Sequence, residues 1–354
     1  MDNYNRAVEV ERQVKDQVIG GMFALERPAD FRQRAAQEFI CSSSVGLANA
    51  RSGIWLLIKQ LKPRCVWMPS YLCESMINPV KLAAGDIRFY EVDYNLNITS
   101  TRWLSTVRDK DLVVLVDYFG FPCDAKILEN VRNRGAWVLR DASQSLLSKV
   151  EPDSADFVLY SPRKFIGVPD GGILKFNAST VFKESVLEEA PVEWWLKSFA
   201  AALGRRDFDI SGCDSNWFTL FQDANKQAPI GPYAMSDVSK RLLDVCDFES
   251  IASIRIDNYL SLAKELNDLA IYPSPPKGVV PLGFPIRAKN RDSLLHELYR
   301  RRIYPPVHWP ITGLVPERFA ESHRLSSEIM TVPCDQRYTA EEMRRVAEAI
   351  KASC

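Results

Sequence analysis

The sequence has few of the residues that build metal centres or disulfide frameworks. It contains three histidines and eight cysteines in 354 residues. No two cysteines form a Cys-x-x-Cys pair, so a zinc site is not expected. A chain of this length does not need disulfides for stability, and scattered thiols are typical of a reducing compartment. We therefore expect free cysteines, no metal and a cytoplasmic location.

Long apolar runs and an excess of one charge are also missing. No stretch approaches the roughly 20 apolar residues of a membrane-spanning helix. The polar start of the chain, residues 1–6, does not resemble a secretory signal. The 45 basic and 45 acidic side chains balance to a formal charge of zero, which provides no basic surface for nucleic acid. We expect neither a membrane nor a nucleic-acid partner.

What the sequence does contain is an alternation of short apolar strands and helical segments. Residues 112–116 form a continuous apolar run typical of a strand buried on both faces. Residues 50–61 have the apolar spacing of a helix. Other strands are predicted at 65–68, 87–92, 137–139 and 157–160. This pattern indicates an α/β domain with a largely parallel sheet, which binds ligands at the carboxyl ends of its strands.

The chain is long enough for two domains. We predict an N-terminal segment over residues 1–40, a large α/β domain over 41–235, and a linking helix with a small α+β domain over 236–354. Within the large domain, residues 180–230 interrupt the rhythm with aromatic, helical sequence and are expected to cover the site. The pair Trp194-Trp195 there favours core or interface packing.

The C-terminal part has its own succession of predicted elements. A single long helix is expected from about Ser236 to Leu269, followed by a Pro-rich hinge. After the hinge we predict a strand at 280–286, a helix at 291–301 and a final helix at 340–351.

Three polar features lie at predicted strand or helix ends. Lys164 follows the strand at 157–160, where a lysine is either solvated or desolvated enough to act as a nucleophilic amine. Asp141 follows another buried strand and either faces the ligand crevice or caps the next helix. Arg51 and Ser52 open a helix whose free N–H groups suit a phosphate, although any helix begins with such groups.

Pyridoxal phosphate needs these three features together. Its phosphate suits a helix N-terminus, its ring nitrogen pairs with a carboxylate such as Asp141, and its aldehyde forms a Schiff base with a lysine such as Lys164. The protonated ring withdraws electrons from a bond broken at the substrate Cα, and the displaced lysine can move the proton. The residues therefore predict pyridoxal phosphate as cofactor.

Motifs in a characteristic order run through most of the chain. They are Ile19–Phe23, Ala50–Ile54, Met68–Tyr71, Gly85–Asp93, Asp117–Gly120, Arg140–Gln144, Lys164 ahead of Gly171-Gly172, and Pro333–Thr339. Together they resemble the DegT/DnrJ/EryC1/StrS, or sugar, aminotransferases, which are fold type I pyridoxal-phosphate enzymes. The resemblance implies a large domain with a mostly parallel sheet flanked by helices, a small α+β C-terminal domain, and a homodimer with active sites at its interface.

The resemblance also implies roles for individual residues. Lys164 resembles the Schiff-base lysine and Asp141 the partner of the pyridinium nitrogen. Gln144 resembles the residue beside the cofactor's ring oxygen, and Ser161 resembles the phosphate-binding serine of the broader fold type. The phosphate turn is occupied by Arg51 and Ser52.

Some positions depart from the family pattern. Cys73 stands where many members have an aromatic residue that stacks on the ring, so Tyr71 is either its substitute or a core tyrosine. Leu159 replaces a usual serine, and Ala50-Arg51 replaces a glycine-threonine. These changes weaken the expectation of a nucleotide-sugar substrate more than that of the cofactor.

His308 lies in a Pro-rich turn of the C-terminal part. It either contacts the substrate or is a surface or packing residue.

The expected function is amino transfer. Glutamate or glutamine would donate the amino group, and a ketone or aldehyde such as a keto-sugar would accept it in a ping-pong cycle. A decarboxylase, lyase or dehydratase on the same scaffold is the alternative, and a non-catalytic regulatory relative is a third. Retained Lys164 favours transamination, because some dehydrating members lack this lysine. Lys164 and Asp141 together argue against a non-catalytic role.

Overall fold

The computed structural model describes residues 17–26, 39–149, 154–177, 186–212 and 216–353. Most of the predicted N-terminal segment lies outside these residues. No helix within them is long and apolar enough to cross a membrane. The same ranges contain no cluster of three or more His, Cys, Asp or Glu side chains that could hold a metal ion.

Short strands and longer helices alternate along the described chain. The strands are β1 (Ile19–Gly20), β2 (Ser44–Leu47), β3 (Val66–Pro69), β4 (Ile87–Tyr90), β5 (Leu112–Val116), β6 (Trp137–Asp141), β7 (Phe157–Tyr160), β8 (Gly172–Phe176), β9 (Phe284–Arg287), β10 (Ile303–Tyr304) and β11 (Ile329–Val332). The helices are α1 (Ala50–Leu61), α2 (Glu74–Leu82), α3 (Ala125–Arg132), α4 (Val192–Ser211), α5 (Trp217–Lys226), α6 (Asp237–Val245), α7 (Phe248–Leu266), α8 (Arg291–Arg300), α9 (Ala320–Glu328) and α10 (Ala340–Lys351).

A seven-stranded sheet forms the centre of the α/β part, in the order β2-β8-β7-β6-β5-β3-β4. Strand β8 is antiparallel to both of its neighbours, and the pairs from β7 to β4 are all parallel. Strands β5 and β7 are buried at every position, as continuous apolar strands inside a covered sheet should be. The predicted mostly parallel α/β architecture is confirmed.

The predicted long helix from Ser236 to Leu269 is wrong, because the chain forms two helices there. Helix α6 ends at Val245, and Cys246 has an extended backbone. The side chain of Asp247 accepts a hydrogen bond from the Ser250 N–H at 3.1 Å and starts α7 as its N-cap. The capping residue was therefore visible in the sequence, but the apolar spacing on both sides hid the break.

The C-terminal part contains elements that the sequence did not reveal. Helix α9 and strand β11 were not predicted, and the strand expected at 280–286 is the shorter β9. Strands β9 and β11 form an antiparallel pair. Helix α10, which was predicted with its observed bounds, begins with a capping box between Thr339 and Glu342.

The described N-terminal residues 17–26 contact distant parts of the chain. Strand β1 pairs in parallel with β10, so that Ile19 lies beside Ile303. The Gly20 N–H donates to the Tyr338 hydroxyl at 2.7 Å. Farther along, the Glu26 N–H donates to the Gly167 carbonyl at 2.7 Å, in the loop that follows Lys164. Residues 17–26 therefore join the C-terminal part to the α/β part.

Helix α1 begins in direct contact with strand β8. A Cβ atom on Gly172 would lie 2.3 Å from the carbonyl carbon of Asn49 and 2.4 Å from the nitrogen of Ala50. Asn49 is the N-cap of α1, and its side chain accepts from the Ser52 N–H at 3.2 Å. Only glycine lets the two backbones approach this closely, because it has no side chain.

We predict that Gly172→Ala destabilises the protein by about 3 kcal/mol or more, since the added methyl group meets backbone atoms that cannot rotate away. The matched control is Gly46→Ala on the neighbouring strand β2, where the nearest atom to the added Cβ, on Met235, is 3.5 Å away. Its effect should stay within about 1 kcal/mol. Urea unfolding of both variants measures the difference, and equal stabilities would contradict the proposed backbone contact.

Candidate active site

Several strand ends meet at one edge of the large sheet. Strands β6 and β7 run in parallel with Asp141 beside Leu159, so both end at this edge. Strand β8 starts there, because Ile173 pairs with Tyr160 at the end of β7. Helix α1 also begins there, against β8. The structure therefore brings together three groups that are far apart in the sequence: the carboxylate of Asp141, the loop of Lys164 and the N-terminus of α1.

Lys164 ends a short 3-10 turn, Pro162–Lys164, that directly follows β7. Its backbone N–H donates to the Ser161 carbonyl at 3.1 Å. Its side chain is exposed and lines a cavity of about 880 Å³. No residue of the described ranges forms a hydrogen bond or ion pair with the Lys164 amine. The turn thus fixes the backbone, while the amine is free to react in the cavity.

Asp141 and Gln144 are buried at the same edge. The Asp141 Oδ1 accepts from the Ser143 N–H at 2.9 Å, so one oxygen stabilises the turn after β6. The Gln144 Oε1 accepts from the Phe119 N–H at 2.8 Å. Its Nε2 is buried and finds no hydrogen-bond acceptor in the part of the chain that the structure describes. A buried amide donor without an acceptor is unfavourable, so this donor is available to a bound molecule.

The three predicted phosphate ligands differ in their present contacts. The Arg51 guanidinium donates to the backbone carbonyl of Asn225 at 2.8 Å and to its side-chain oxygen at 3.2 Å, which ties α1 to α5. Burial lowers the pKa of Arg51. The Ser52 hydroxyl accepts from the Gly231 N–H at 3.4 Å. The half-buried Ser161 hydroxyl has no hydrogen-bond partner among the described residues, so it remains available to a ligand.

Tyr71 occupies the position of a core tyrosine. Its side chain is fully buried, and its ring packs against Tyr118 and Trp309 with centroid distances of 5.8 and 5.3 Å. Its hydroxyl donates to the His308 carbonyl. Burial raises the pKa of this hydroxyl well above its ordinary value, so it stays protonated. Stacking of Tyr71 on the cofactor ring stays a prediction.

His308 lies beside the candidate lysine and is half-buried. It lines the same cavity as Lys164, and its Nδ1 is 2.9 Å from the Thr331 hydroxyl oxygen. Burial, and secondly the positive charge of Lys164, lower the pKa of His308 to about 3. The imidazole is therefore neutral at pH 7 and adds no positive charge beside Lys164.

The cavity also has walls that sequence reasoning missed. Its lining comes from residues 18–23, from α4 and α5, and from the C-terminal residues 299–308 and 331–337. Arg163 lines it directly beside Lys164. Its position next to Lys164 could have identified Arg163 from the sequence. The sequence could not show, however, which arginines of the chain lack an acidic partner.

No protein-family signature and no curated protein matches the sequence. Solved structures are similar, however. The aminotransferase TlmJ from Streptoalloteichus hindustanus has 18% identity and a TM-score of 0.65, with 88% of this chain and 85% of that chain covered. DesV from S. venezuelae has 15% identity and a TM-score of 0.65, covering 87% of this chain and 84% of that one. Helicobacter pylori PseC, an aminotransferase, has 14% identity and a TM-score of 0.64, with 97% and 95% covered.

This chain has the fold of these aminotransferases. The similarity extends over both the large sheet and the C-terminal part, because between 87% and 97% of the chain is covered. The expectation of a fold type I architecture is therefore confirmed.

We predict a pH dependence of stability that depends on His308. The imidazole has a pKa of about 3 when folded and an ordinary value of 6.5, so below about pH 6.5 the unfolded chain binds a proton that the folded chain does not. The contribution of His308 to the free energy of unfolding is therefore full above about pH 6.5. It falls as the pH drops towards 3, and about 2 kcal/mol is lost at pH 5.

Urea unfolding between pH 7.5 and 5 measures this effect. In His308→Gln, the decrease in unfolding free energy that comes from this imidazole should disappear. The control is His323→Gln, which removes a histidine that does not line the cavity and should leave the slope unchanged. Identical slopes for wild type and His308→Gln would show that the imidazole is not held neutral.

Proposed function

We propose that this protein is a pyridoxal-phosphate-dependent aminotransferase of the DegT/DnrJ/EryC1/StrS type. One observation carries the proposal. Four groups lie at one edge of the sheet: an unpaired lysine, a buried carboxylate, a helix N-terminus and the unsatisfied Nε2 of Gln144. The fold shared with aminotransferases supports the same reaction class.

The residues present fit this cofactor. The Gln144 Nε2 can donate to the oxygen on the pyridine ring, which satisfies its missing hydrogen bond. Asp141 has a second carboxylate oxygen that can pair with the protonated ring nitrogen. The start of α1 and the free Ser161 hydroxyl suit the phosphate. Lys164 supplies the amine that binds the aldehyde.

The bound cofactor would supply an electron sink for the bond broken at the substrate Cα. Asp141 would hold the ring nitrogen protonated by its negative charge. The amine of Lys164 lines the cavity and would act as the base that takes the proton from the substrate Cα and later gives it back. His308 is neutral and close to Lys164, so it would leave the amine as the proton carrier and add no competing charge beside it.

The partners proposed are an amino acid donor and a carbonyl acceptor. We propose glutamate or glutamine as donor, in keeping with the resemblance of the motifs to the family. Similar structures include sugar aminotransferases and the Helicobacter pylori enzyme of pseudoaminic acid biosynthesis, which supports a keto-sugar among the candidate acceptors.

We predict that the protein purified with pyridoxal phosphate is yellow and that borohydride links the cofactor permanently to Lys164. Peptide mass spectrometry locates the link. Lys164→Arg should lose the link and reduce turnover by about 10³-fold or more, because the nucleophile and the proton carrier are the same amine. Lys175→Arg, a lysine on strand β8, is the control and should keep both.

Adding glutamate or glutamine should bleach the yellow colour as the cofactor takes up the amino group. A yellow protein that releases carbon dioxide or ammonia, with no bleaching by any donor, would indicate a decarboxylase or lyase. A colourless protein that pyridoxal phosphate does not reconstitute would contradict the proposed function.

We also propose that the protein is a cytoplasmic homodimer. The exposed face of α4 supports a partner surface, because Val192, Leu196, Leu203 and Ile210 are 63, 52, 42 and 64% exposed. Three of them are spaced by seven residues and so form one stripe along the helix. A contiguous apolar stripe of this length is typical of an interface.

The double variant Leu196→Glu/Leu203→Glu is predicted to be monomeric, because it places buried charges in that interface. Light scattering after size exclusion gives the mass. Leu82→Glu changes another exposed leucine, 62% exposed on α2, and should remain dimeric. A dimeric double variant would place the interface elsewhere.

A further inference from the structure

The carbonyl group that follows Lys164 in the chain is held by side chains of the C-terminal part. The Phe165 carbonyl accepts a hydrogen bond from the Gln336 Nε2 at 2.6 Å and a longer one from the Arg255 Nη2 at 3.4 Å. Phe165 is fully buried and directly follows the turn Pro162–Lys164. The peptide next to the candidate lysine is therefore fixed by residues that lie 171 and 90 positions away in the sequence.

The contacts of Gln336 define the orientation of its amide group. The Gln336 Oε1 accepts from the Arg255 Nε at 2.9 Å. An arginine N–H can only donate, so the amide oxygen must face Arg255 and the amide nitrogen must face Phe165. Gln336 itself does not line the cavity beside Lys164. Its amide thus links a buried arginine to the loop of the lysine without contacting the space where a ligand would bind.

Arg255 on α7 is fully buried and donates from all three of its nitrogen atoms. In addition to its bonds to Gln336 and Phe165, its Nη1 donates to the carbonyls of Pro281 and Leu282, at 3.2 and 2.9 Å. The guanidinium also lies 4.6 Å from the centroid of the Phe165 ring. Because the guanidinium is planar and rigid, it holds these acceptors in a defined arrangement.

The segment that anchors Arg255 is also joined to the other side of the proposed site. The Leu282 N–H donates to the Phe119 carbonyl at 2.8 Å. The Phe119 N–H donates in turn to the Gln144 Oε1 at 2.8 Å. Arg255 is therefore connected by short hydrogen bonds both to the loop of the lysine and to the amide proposed to bind the cofactor's ring oxygen.

The position of the Lys164 amine depends on the backbone that carries it. The side chain is exposed and lines the cavity. Before the lysine, its own N–H is bonded to the Ser161 carbonyl, and farther along the Gly167 carbonyl accepts from the Glu26 N–H at 2.7 Å. The bonds to the Phe165 carbonyl fix the chain between these two points. A displacement of about 1 Å of a reacting group is enough to lower a rate by about 10²-fold.

We propose that Gln336 and Arg255 are positioning residues for Lys164, which fix the peptide after the lysine so that its amine meets the cofactor's aldehyde. The inference rests on the proposed function, in which this amine binds the aldehyde. Neither side chain has to touch the cofactor or the substrate. Gln336 forms the shorter bond to the Phe165 carbonyl and is only half-buried. It can therefore be replaced without a change in the core around Arg255.

Two substitutions of Gln336 separate positioning from stability. Gln336→Glu keeps the size of the side chain and can form an ion pair with Arg255, but a carboxylate cannot donate to the Phe165 carbonyl. Gln336→Leu removes both bonds and adds no charge. The matched control is Gln222→Glu, which makes the first substitution at an exposed position of α5 outside the cavity lining.

The rate of linking to the cofactor measures the position of the amine. Cofactor-free protein is mixed with pyridoxal phosphate, and borohydride added at intervals traps the link to Lys164 for peptide mass spectrometry. Both Gln336 variants should form the link at least about 10-fold more slowly than wild type, because the nucleophile is misplaced. Acetic anhydride reacts with an amine in any orientation, so it should label Lys164 at the wild-type rate. The control should match wild type with both reagents.

Three outcomes would overturn the inference. The first is linking at the wild-type rate by both variants. The second is slow linking by Gln336→Leu together with normal linking by Gln336→Glu, since a bond to Arg255 would then be sufficient. The third is equal slowing with pyridoxal phosphate and with acetic anhydride, which would mean that the amine is less accessible rather than misplaced.

Hydrogen exchange separates this inference from the proposed function. The Phe165 and Ile166 N–H groups both donate to the Pro162 carbonyl, at 2.8 and 3.0 Å. In both cofactor-free Gln336 variants, exchange of the peptide that contains these groups should be at least about 10-fold faster than in wild type. Wild-type protein that never links pyridoxal phosphate would contradict the proposed function. Faster exchange in the variants would then still uphold the role of Gln336 in holding the loop, and unchanged exchange would overturn it.

Discussion

The close contact between Gly172 and the first peptide of α1 is the constraint on which the site depends. It places the N-terminus of the helix beside the start of β8, and β8 is antiparallel to β7, whose end leads to Lys164. A side chain at residue 172 would separate the helix from the sheet. The start of α1, the carboxylate of Asp141 and the loop of Lys164 would then no longer meet at one edge of the sheet.

Charged side chains divide into those that build the structure and those that remain for ligands. Arg205 on α4 and Arg337 in the C-terminal part both bind the backbone of residues 20–22, and each is also paired with an aspartate. The buried Asp117 pairs with Arg140 behind the site. Lys164 differs from these groups, because its amine forms no hydrogen bond or ion pair with the described residues. Its lack of a partner has a chemical meaning because these structural charges are paired.

The sequence predicted features that depend on local pattern and missed those that depend on distant contacts. The bounds of α1 and α10, and the positions of Asp141 at the end of its strand and Lys164 after its strand, follow from apolar spacing and turn residues. The break at Cys246 was missed because apolar spacing continues across it. The pairing of β1 with β10 and the place of Arg163 in the cavity wall could not be predicted, since each is decided by residues remote in the chain.

The pairing of β1 with β10 also constrains the order in which the protein can fold. Residue 19 leaves the ribosome long before residue 303, with which it pairs. The large sheet can form from residues 44–176, whereas the wall of the cavity at residues 18–23 must wait for the C-terminal part. The sheet edge that carries Lys164 is thus available to form before the cavity is complete.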